Sequence, residues 1–401
     1  MELGSILKGM SRNWVGPLLV ALQVAITMAV MVNALFVIQE RREVMARPTG
    51  VDEANLGRTG IFAYADDFDW TGEIRADLEA LNNHPGVHAA GTVNSLPGTG
   101  SGWSSTWLVE ENKPETSVQS AMYLVDEHGL ETLGLELVEG RWFREDEIID
   151  VDPTGFEGFF SGIVLTESLA NKMFPDGALG RMVYTESEDQ APVVGVVRQL
   201  AVPWPSYLEW EDSSLVPGRL SGPAIFYAVR AEPGRLEQVL PEVEELLTGR
   251  ASGRTVLPPE THREMVAEEF TDERATVRIL FVIMVLLVLL TGLGIVGLAS
   301  FNVRRRTRQI GTRRALGATR GDILRYFLAE NAVLTAMGLG IGVVLTYALN
   351  YFLADQFNVA RLPGSWLLIG MLALLALGQL AVLGPARTAT RIPPAVATRT
   401  V

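Results

Sequence analysis

Four long apolar segments constrain this chain more than any other feature of its sequence. They cover about residues 15–38, 276–303, 326–353 and 365–384. Each is at least as long as the roughly 20 residues that a helix needs to cross the hydrocarbon core of a bilayer. The pattern predicts a membrane protein with four transmembrane α-helices. Because the number of spans is even, both termini are expected on the same side of the membrane.

The charges of the chain are distributed unevenly, and this predicts the orientation. Residues 40–275 hold 43 acidic and 18 basic side chains, whereas the rest of the chain holds 4 acidic and 15 basic ones. Thirteen of these 15 basic residues lie near the N-terminus, between the second and third spans, or in the C-terminal tail. Short basic segments stay on the cytoplasmic side of a membrane. The acidic region between the first two spans is therefore predicted to lie outside.

The spans and charges together predict the organisation of the chain. Its predicted cytoplasmic parts are an amphipathic N-terminus (1–14), a basic segment (304–325) and a tail (385–401). The predicted outer parts are a domain (39–275) with stalk helices at its ends, and a short loop (354–364). The expected fold class is thus a membrane protein with four transmembrane helices and a large mixed α/β extracytoplasmic domain inserted between helices 1 and 2.

The outer region shows short strand and helix patterns in alternation. The Gly/Ser-rich stretch 97–106 is predicted to be a loop, and a mobile flap is its functional alternative. A helix predicted at about 259–275 is followed by no proline or glycine up to residue 291, so it is expected to continue into the second span as one rod. Predicted strands cover 61–64, 87–94, 119–125, 162–165, 193–197 and 223–230, and further predicted helices cover 69–81, 167–174 and 236–247.

Residues that would form an enzyme or metal site are absent from the sequence or poorly spaced. The chain has no cysteine and four histidines. His84 and His88 are four residues apart, but Pro85 and Gly86 between them disfavour a helical zinc pair. HExxH, GxSxG and Walker motifs are absent. The sequence therefore predicts a non-catalytic chain that holds no cofactor or metal of its own.

The basic segment between the second and third spans is the candidate functional site. Residues 303–331 contain eight arginines, and Asp322 is the one acid between the first of them, Arg304, and the last, Arg325. Two stretches, 307–316 and 322–328, have helical periodicity, and Gly317 and Gly321 are expected to break the helix between them.

A small apolar knob of Ala315, Leu316 and Ala318 is predicted at the centre of this segment. Arginines surround it, so a short helix here would fit a groove on a soluble partner. Binding to anionic lipid head groups is the alternative, since each basic residue near a membrane surface contributes about 1 kcal/mol. Lipid binding alone would not require the apolar knob or its glycines.

Glycines within the spans predict close helix packing, because small residues let helix backbones approach. Glu330 is the one acid predicted within a span, which disfavours an ion-driven pump. Energy would then be supplied from outside this chain. The packing glycines are Gly292, Gly294 and Gly297 in the second span and Gly338, Gly340 and Gly342 in the third.

Several motifs of the chain resemble one family. The run 308–320, RQIGTRRALGATR, with Asp322-Ile323-Leu324 and Glu330 after it, resembles the coupling segment of the MacB/FtsX/LolC-E superfamily of ABC-transporter permeases. The order of one span, a large external domain and three further spans is similar as well. Other stretches are similar to the MacB-type periplasmic core domain or to the ending of the family: 140–143, 164–174, 179–181, 193–197, 384–387 and 394–399.

The resemblance implies a permease subunit in the inner membrane, multi-pass, with its large domain in the periplasm. Such permeases dimerise and bind a cytoplasmic ATPase, which holds ATP and Mg, through the segment between spans two and three. ATP-driven closure passes through stalk helices to the external domain, and MacB-like members work with a periplasmic adaptor and an outer-membrane duct. No nucleic-acid partner is expected. The implied coupling residues here are Arg313, Arg314, Ala315, Leu316, Gly317, Ala318, Thr319 and Arg320.

Three positions depart from the family pattern. Gln309 stands where the family has Glu, and Val396 and Thr398 stand at the Glu and Leu positions of the tail. We therefore hypothesise that this chain is one half of a heteromeric permease pair. The expected function is export of a drug, peptide or lipid-like substrate. Alternatives are release of lipoproteins, activation of a periplasmic hydrolase and, outside the family, a membrane-anchored binding protein without an ATPase.

Overall fold

The computed structural model describes residues 14–65, 68–151, 160–185, 189–207, 209–222, 224–250, 253–357 and 360–393. The chain divides into two compact units. One is Val44–Asp272, called here the α/β unit. The other combines residues 1–43 and 273–401 and is called the helical unit. Residues 1–13 of the predicted amphipathic N-terminus and the tail motif at 394–399 lie outside the described residues.

The secondary structure is bounded as follows. The helices are α1 (Val15–Met45), α2 (Trp70–Asn82), α3 (Gly129–Leu133), α4 (Glu167–Met173), α5 (Leu236–Thr248), α6 (His262–Glu269), α7 (Thr271–Arg305), α8 (Thr307–Ala315), α9 (Arg320–Phe357) and α10 (Gly364–Thr390). The strands are β1 (Leu56–Ala63), β2 (Val87–Val93), β3 (Trp103–Leu108), β4 (Ser117–Val125), β5 (Leu137–Gly140), β6 (Ile149–Val151), β7 (Ile163–Thr166), β8 (Met182–Tyr184), β9 (Gln190–Val197), β10 (Ser213–Leu220), β11 (Ala224–Ala231) and β12 (Arg254–Thr261).

An extended sheet forms the α/β unit. Its strand order is β12-β1-β11-β2-β4-β3-β8-β9-β7-β10-β6, and β5 pairs with β9. Within this order, β4 and β10 are the first and last strands of the series β4-β3-β8-β9-β7-β10, and they also pair with each other in parallel. Six strands therefore close on themselves, which satisfies backbone groups that an open edge would leave unpaired.

Each part of the sheet has its own apolar core. Helices α2 and α5 pack on the part that contains β1 and β11, where Ile61, Leu78 and Val243 are buried. Helix α4 packs on the closed part, where Leu169 and Val193 are buried. The local sequence positions these helices. For example, the Asp69 side chain accepts a hydrogen bond from the Gly72 N–H at 3.1 Å, which is the role that Asp favours at a helix start.

Two expectations for the α/β unit differ from the structure. The predicted loop 97–106 ends early, because Trp103–Leu108 pairs with β4 as β3 and buries Trp107, whose Nε1 donates to Ser120 and Ser214. The predicted helix 259–275 begins only at His262. It stops at Phe270, and α7 starts anew at Thr271, so the expected continuous rod is interrupted there.

Four helices of the described residues, α1, α7, α9 and α10, are long and apolar enough to cross a membrane. Each contains one of the predicted spans and extends beyond it. Polar groups on these helices pair inside the helical unit: the hydroxyls of Thr27 and Thr291 are 2.7 Å apart, and Asn33 Nδ2 donates to Thr346 O at 3.2 Å. Pairing of this kind is expected where lipid offers no hydrogen-bond partner.

The six span glycines differ in their surroundings. A Cβ atom added to Gly338, Gly342 or Gly294 would lie 2.7, 2.9 or 2.6 Å from an atom of α1. At Gly338 that atom is a backbone oxygen, so a larger residue would force the helices apart. The remaining glycines have described atoms only at 4.0 Å or beyond, and their packing role stays a prediction: Gly292, Gly297 and Gly340.

Candidate functional site

The basic segment 304–325, called here the coupling segment, contains the end of α7, the helix α8, a turn, and the start of α9. Helix α8 ends at Ala315, and Gly317 has a φ of +100°. Glycine is favoured in this left-handed conformation just after a helix. The break predicted at Gly321 is wrong, because α9 already begins at Arg320.

Thr319 and Asp322 explain why α9 begins so early. The Thr319 hydroxyl accepts a hydrogen bond from the Asp322 N–H at 3.2 Å, and the Asp322 carboxylate accepts one from the Thr319 N–H at 2.9 Å. This reciprocal pair is a capping box with Asp in the place of the usual Glu or Gln. It offsets the poor helix propensity of Gly321.

An apolar cluster supports the inner side of the coupling segment. Ile310 of α8 and Ile323 and Phe327 of α9 are buried, and Val303 of α7 joins them. The other side of this cluster comes from α10, which continues through Pro385 to Thr390 and buries two alanines, Ala386 and Ala389. The predicted cytoplasmic tail thus contributes helical turns to the support, which no pattern in the sequence indicated.

An ion pair joins the start of the coupling segment to α9. Arg306 Nη1 lies 3.0 Å from both carboxylate oxygens of Glu330, and the two side chains are 23% and 12% exposed. Glu330, the acid predicted within a span, is therefore paired. Removing one partner of a shielded pair leaves the other charge uncompensated, which is destabilising.

Two adjacent arginines of the predicted site are also held within the helical unit. Arg314 Nη1 donates to the carbonyls of Thr390 and Ile392 at 3.0 and 2.8 Å, at the C-terminal end of α10. Such carbonyls lack partners within their helix and favour a cation. The Arg313 guanidinium lies 4.9 Å from the centre of the Tyr326 ring, in a cation–π contact.

The turn after α8 carries the exposed part of the predicted site. Leu316 is 83% exposed, the highest value among the large apolar residues of the described chain. Ala315, Gly317, Thr319 and Arg320 are exposed as well. Ala318 is half-buried against the apolar cluster. The predicted knob is thus reduced to Leu316 with Ala315 beside it.

This geometry provides a contact surface for another molecule. Single exposed leucines are common on protein surfaces, but Leu316 stands at the tip of a glycine-terminated turn that has a buried support on its inner side. Arginines that are exposed lie on both sides of it, at Arg308 and Arg320. The described residues contain no group of three metal-ligating side chains. The site therefore presents one apolar contact within a basic surface.

Comparison with known proteins identifies two families along the chain. The MacB-like periplasmic core domain matches residues 18–246, and the FtsX-like permease C-terminal domain matches residues 281–394. The second match contains the whole segment from α8 to α10. The first match alone covers more than half of the 401 residues.

Individual relatives agree with these matches. The macrolide export ATP-binding/permease protein MacB of Chromobacterium violaceum is 28% identical over 66% of this chain and 42% of its own length. The pyoverdine export ATP-binding/permease protein PvdT of Pseudomonas fluorescens is 30% identical over 42% of this chain and 25% of its own length. The chain thus spans less than half the length of these relatives.

Among solved structures, the periplasmic region of MacB from Actinobacillus actinomycetemcomitans aligns with 57% of this chain and 98% of its own, at 16% identity and a TM-score of 0.33. The family assignment depends on the two sequence families, which lie in the same order as the α/β sheet and the three C-terminal membrane-length helices. The resemblance predicted from the coupling segment is confirmed: the chain belongs to the MacB/FtsX superfamily of ABC-transporter permeases.

Proposed function

We propose that this chain is the permease subunit of an ABC transporter that works by mechanotransmission. A separate cytoplasmic ATPase, which would bind ATP and Mg, docks on the coupling segment and drives conformational change in the α/β unit. The observation that carries the proposal is the exposed Leu316 on a turn with a buried support. Export of a drug, peptide or lipid-like substrate is the proposed outcome, because the matched relatives are named as exporters.

The contacts of the coupling segment explain how a force on Leu316 would reach the helices. Arg314 ties α8 to the end of α10, and Arg306 ties the start of the segment to Glu330 of α9. The buried cluster around Ile310 adds Val303 of α7. A displacement of the tip would therefore move three membrane-length helices together. A loosely attached loop would absorb the same displacement.

We also propose that the complex lies in the inner membrane, with the α/β unit in the periplasm, and that it contains two permease subunits. Gln309, the departure from the family pattern, lines a cavity with Arg306 and Arg313, so the carboxylate that the family pattern would place beside these two arginines is missing. This supports a heteromeric pair in which the second permease provides the acid. A periplasmic adaptor and an outer-membrane duct are further proposed partners.

Purification of the tagged full chain in a mild detergent, with identification of every co-purifying protein by mass, tests this proposal. We expect a soluble ATPase together with a second permease. An adaptor in the sample would indicate efflux, a trapped lipoprotein would indicate release, and a bound hydrolase would indicate signalling. Two copies of this chain without another permease would refute the heteromeric pair. Recovery of the chain alone would refute the transporter and favour a membrane-anchored binding protein.

A further inference from the structure

A cavity of about 360 Å³ in the α/β unit is not used by the function proposed above. It lies where the chain enters this unit at Val44 and where it leaves at Phe270. Its volume is within the range of about 300–1,000 Å³ that is usual for small-molecule sites. The Gly/Ser-rich loop, considered above as a flap, contributes Gly98 to the wall.

Apolar side chains form much of the cavity wall. Val44 and Met45 come from the end of α1, and Val266 and Phe270 come from α6 and the residue that ends it. Gly98 has a φ of +73°, and a Cβ added to it would lie 3.5 Å from Val266. A side chain at this position would therefore occupy space that glycine leaves open.

One aromatic ring and one cation define the polar side of the cavity. Trp210 is buried, and its Nε1 donates to Pro48 O at 3.0 Å, so its hydrogen-bonding need is met within the protein. The Arg47 guanidinium lies 5.7 Å from the centre of that ring, and its Nη1 donates to Tyr207 O at 3.0 Å. These contacts hold a cation at the cavity.

The charges at the cavity favour an anionic ligand. A guanidinium has five N–H donors, and the described contact to Tyr207 uses one of them. The acid on the same wall, Glu53, instead accepts a hydrogen bond from the Thr49 hydroxyl. Arg47 therefore keeps donors for an anion, whereas Glu53 already has a donor from the protein.

The position of the wall along the chain indicates where a ligand would come from. Val44 follows the predicted end of the first span by six residues, and Phe270 precedes the predicted start of the second span by six residues. At 1.5 Å per helical residue, six residues correspond to about 9 Å. Both ends of the wall are therefore within a few residues, along the chain, of a predicted membrane span, and amphipathic molecules collect at membrane surfaces.

We propose that this cavity binds an amphipathic anion, with its charged head at Arg47 and its apolar body against Val266, Phe270 and the Trp210 ring. A phospholipid of the outer leaflet and a transported anionic amphiphile share this chemistry. The proposal would give the transporter a site for its substrate class. It does not depend on docking of an ATPase, so a binding assay without nucleotide separates its failure from that of the proposed function.

The absence of cysteine from the chain permits a direct test. Val266→Cys is introduced into the full chain, which is kept in dodecyl maltoside micelles, and alkylation of the thiol by N-ethylmaleimide is followed by mass spectrometry. Lysophosphatidylglycerol is compared with lysophosphatidylcholine of the same acyl chain. We expect the anionic lipid to slow alkylation about 10-fold at ten times its Kd, at a mole fraction where the zwitterionic lipid has little effect.

Variants at the two charged residues test the assignment of the head group. Arg47→Gln should abolish the difference between the two lipids, whereas Arg47→Lys, which keeps the positive charge, should retain part of it. Glu53→Gln removes a nearby like charge and should strengthen protection by about 2- to 5-fold. As a control for general adsorption of amphiphiles, Val138→Cys, an exposed valine of β5, should be alkylated at the same rate in every lipid.

The outcomes separate the sources of the ligand and can overturn the proposal. Protection by taurocholate as well as by lysophosphatidylglycerol would extend the site to anionic amphiphiles in general, and protection by the phospholipid alone would assign it to membrane lipid. Equal protection by the anionic and zwitterionic lipids would refute the proposal. Absence of protection, or unchanged selectivity in both Arg47 variants, would refute it as well.

Discussion

The inner and outer sides of the coupling segment use the same residue types differently. On the inner side, Arg306 and Arg314 donate to Glu330 and to the last carbonyls of α10. On the outer side, Arg308 and Arg320 are exposed. A count of arginines would treat all of them as one basic patch. The contacts show that part of this charge stabilises the permease and that another part is available to a partner.

Apolar residues show the same contrast. Ile310, Ile323 and Phe327 are at most 5% exposed, whereas Leu316 is 83% exposed. Burial of a leucine side chain contributes about 1.5–3 kcal/mol of favourable free energy. The three buried residues gain a stabilisation of this kind from contacts within the chain. Leu316 can gain it only by binding another molecule. The comparison predicts that inner substitutions reduce stability and that outer substitutions reduce partner binding.

The largest effect is expected for Leu316→Asp. It would place a charge in an apolar contact at the centre of an interface, and residues of this kind contribute about 2–4 kcal/mol to binding. The expected result is at least a 30-fold weaker affinity for the co-purified ATPase, with an unchanged Tm. Titration of the ATPase onto the detergent-solubilised permease measures this. Leu179→Asp, at an exposed leucine of the α/β unit, is the matched control, and equal behaviour of the two variants would contradict the coupling role.

Glu330→Ala should have the next largest effect, on stability. It removes the acceptor of Arg306 and leaves that donor partly shielded from water, at an expected cost of about 1–3 kcal/mol. A lower Tm of the permease in detergent is the measurement. Asp355→Ala, at an exposed acid of the same helix, should leave Tm unchanged. The double variant Arg306→Glu with Glu330→Arg exchanges the two charges. If its Tm is as low as that of Glu330→Ala, loss of the ion pair does not explain the lower stability.

A glycine pair extends the same contrast to the spans. Gly338→Ala would place a methyl group 2.7 Å from a backbone oxygen of α1, and overpacking of this kind costs about 1–3 kcal/mol. Gly340→Ala has open space around it and should be neutral or slightly stabilising, since Ala favours helix more than Gly does. Thermal unfolding of both variants in parallel gives their Tm values. A larger decrease in Tm for Gly340→Ala than for Gly338→Ala would mean that another chain packs at Gly340.

The smallest effect is expected for Arg314→Ala. Loss of a cation at the end of α10 should cost about 0.3–1 kcal/mol of stability, whereas Arg320→Ala should leave Tm unchanged and weaken only binding of the ATPase. Differential scanning fluorimetry and the ATPase titration, applied to both variants, provide the comparison. A lower Tm for Arg320→Ala alone would reverse the assignment of the two arginines.

The site was predictable in part from local patterns. The arginines, the Ala-Leu-Gly-Ala centre and the family resemblance located the segment, and Gly317 has the left-handed conformation that a helix end favours. The support was not predictable. Arg314 bonds to carbonyls 76 and 78 residues further along the chain, and Ala386 and Ala389 lie in what reads as a tail. Small residues there have no apolar pattern that would mark them as a core.

The amino-acid sequence by itself determined the number of membrane-length helices, the uneven distribution of charge and the family. Each of these depends on local composition or short motifs, and none requires contacts between distant segments. The tertiary structure alone decided which arginines face inward and that six strands close through the pairing of β10 with β4. It also showed where a cavity remains between Arg47 and Phe270. Burial, hydrogen-bond partners and empty space arise only when segments far apart in the chain pack together.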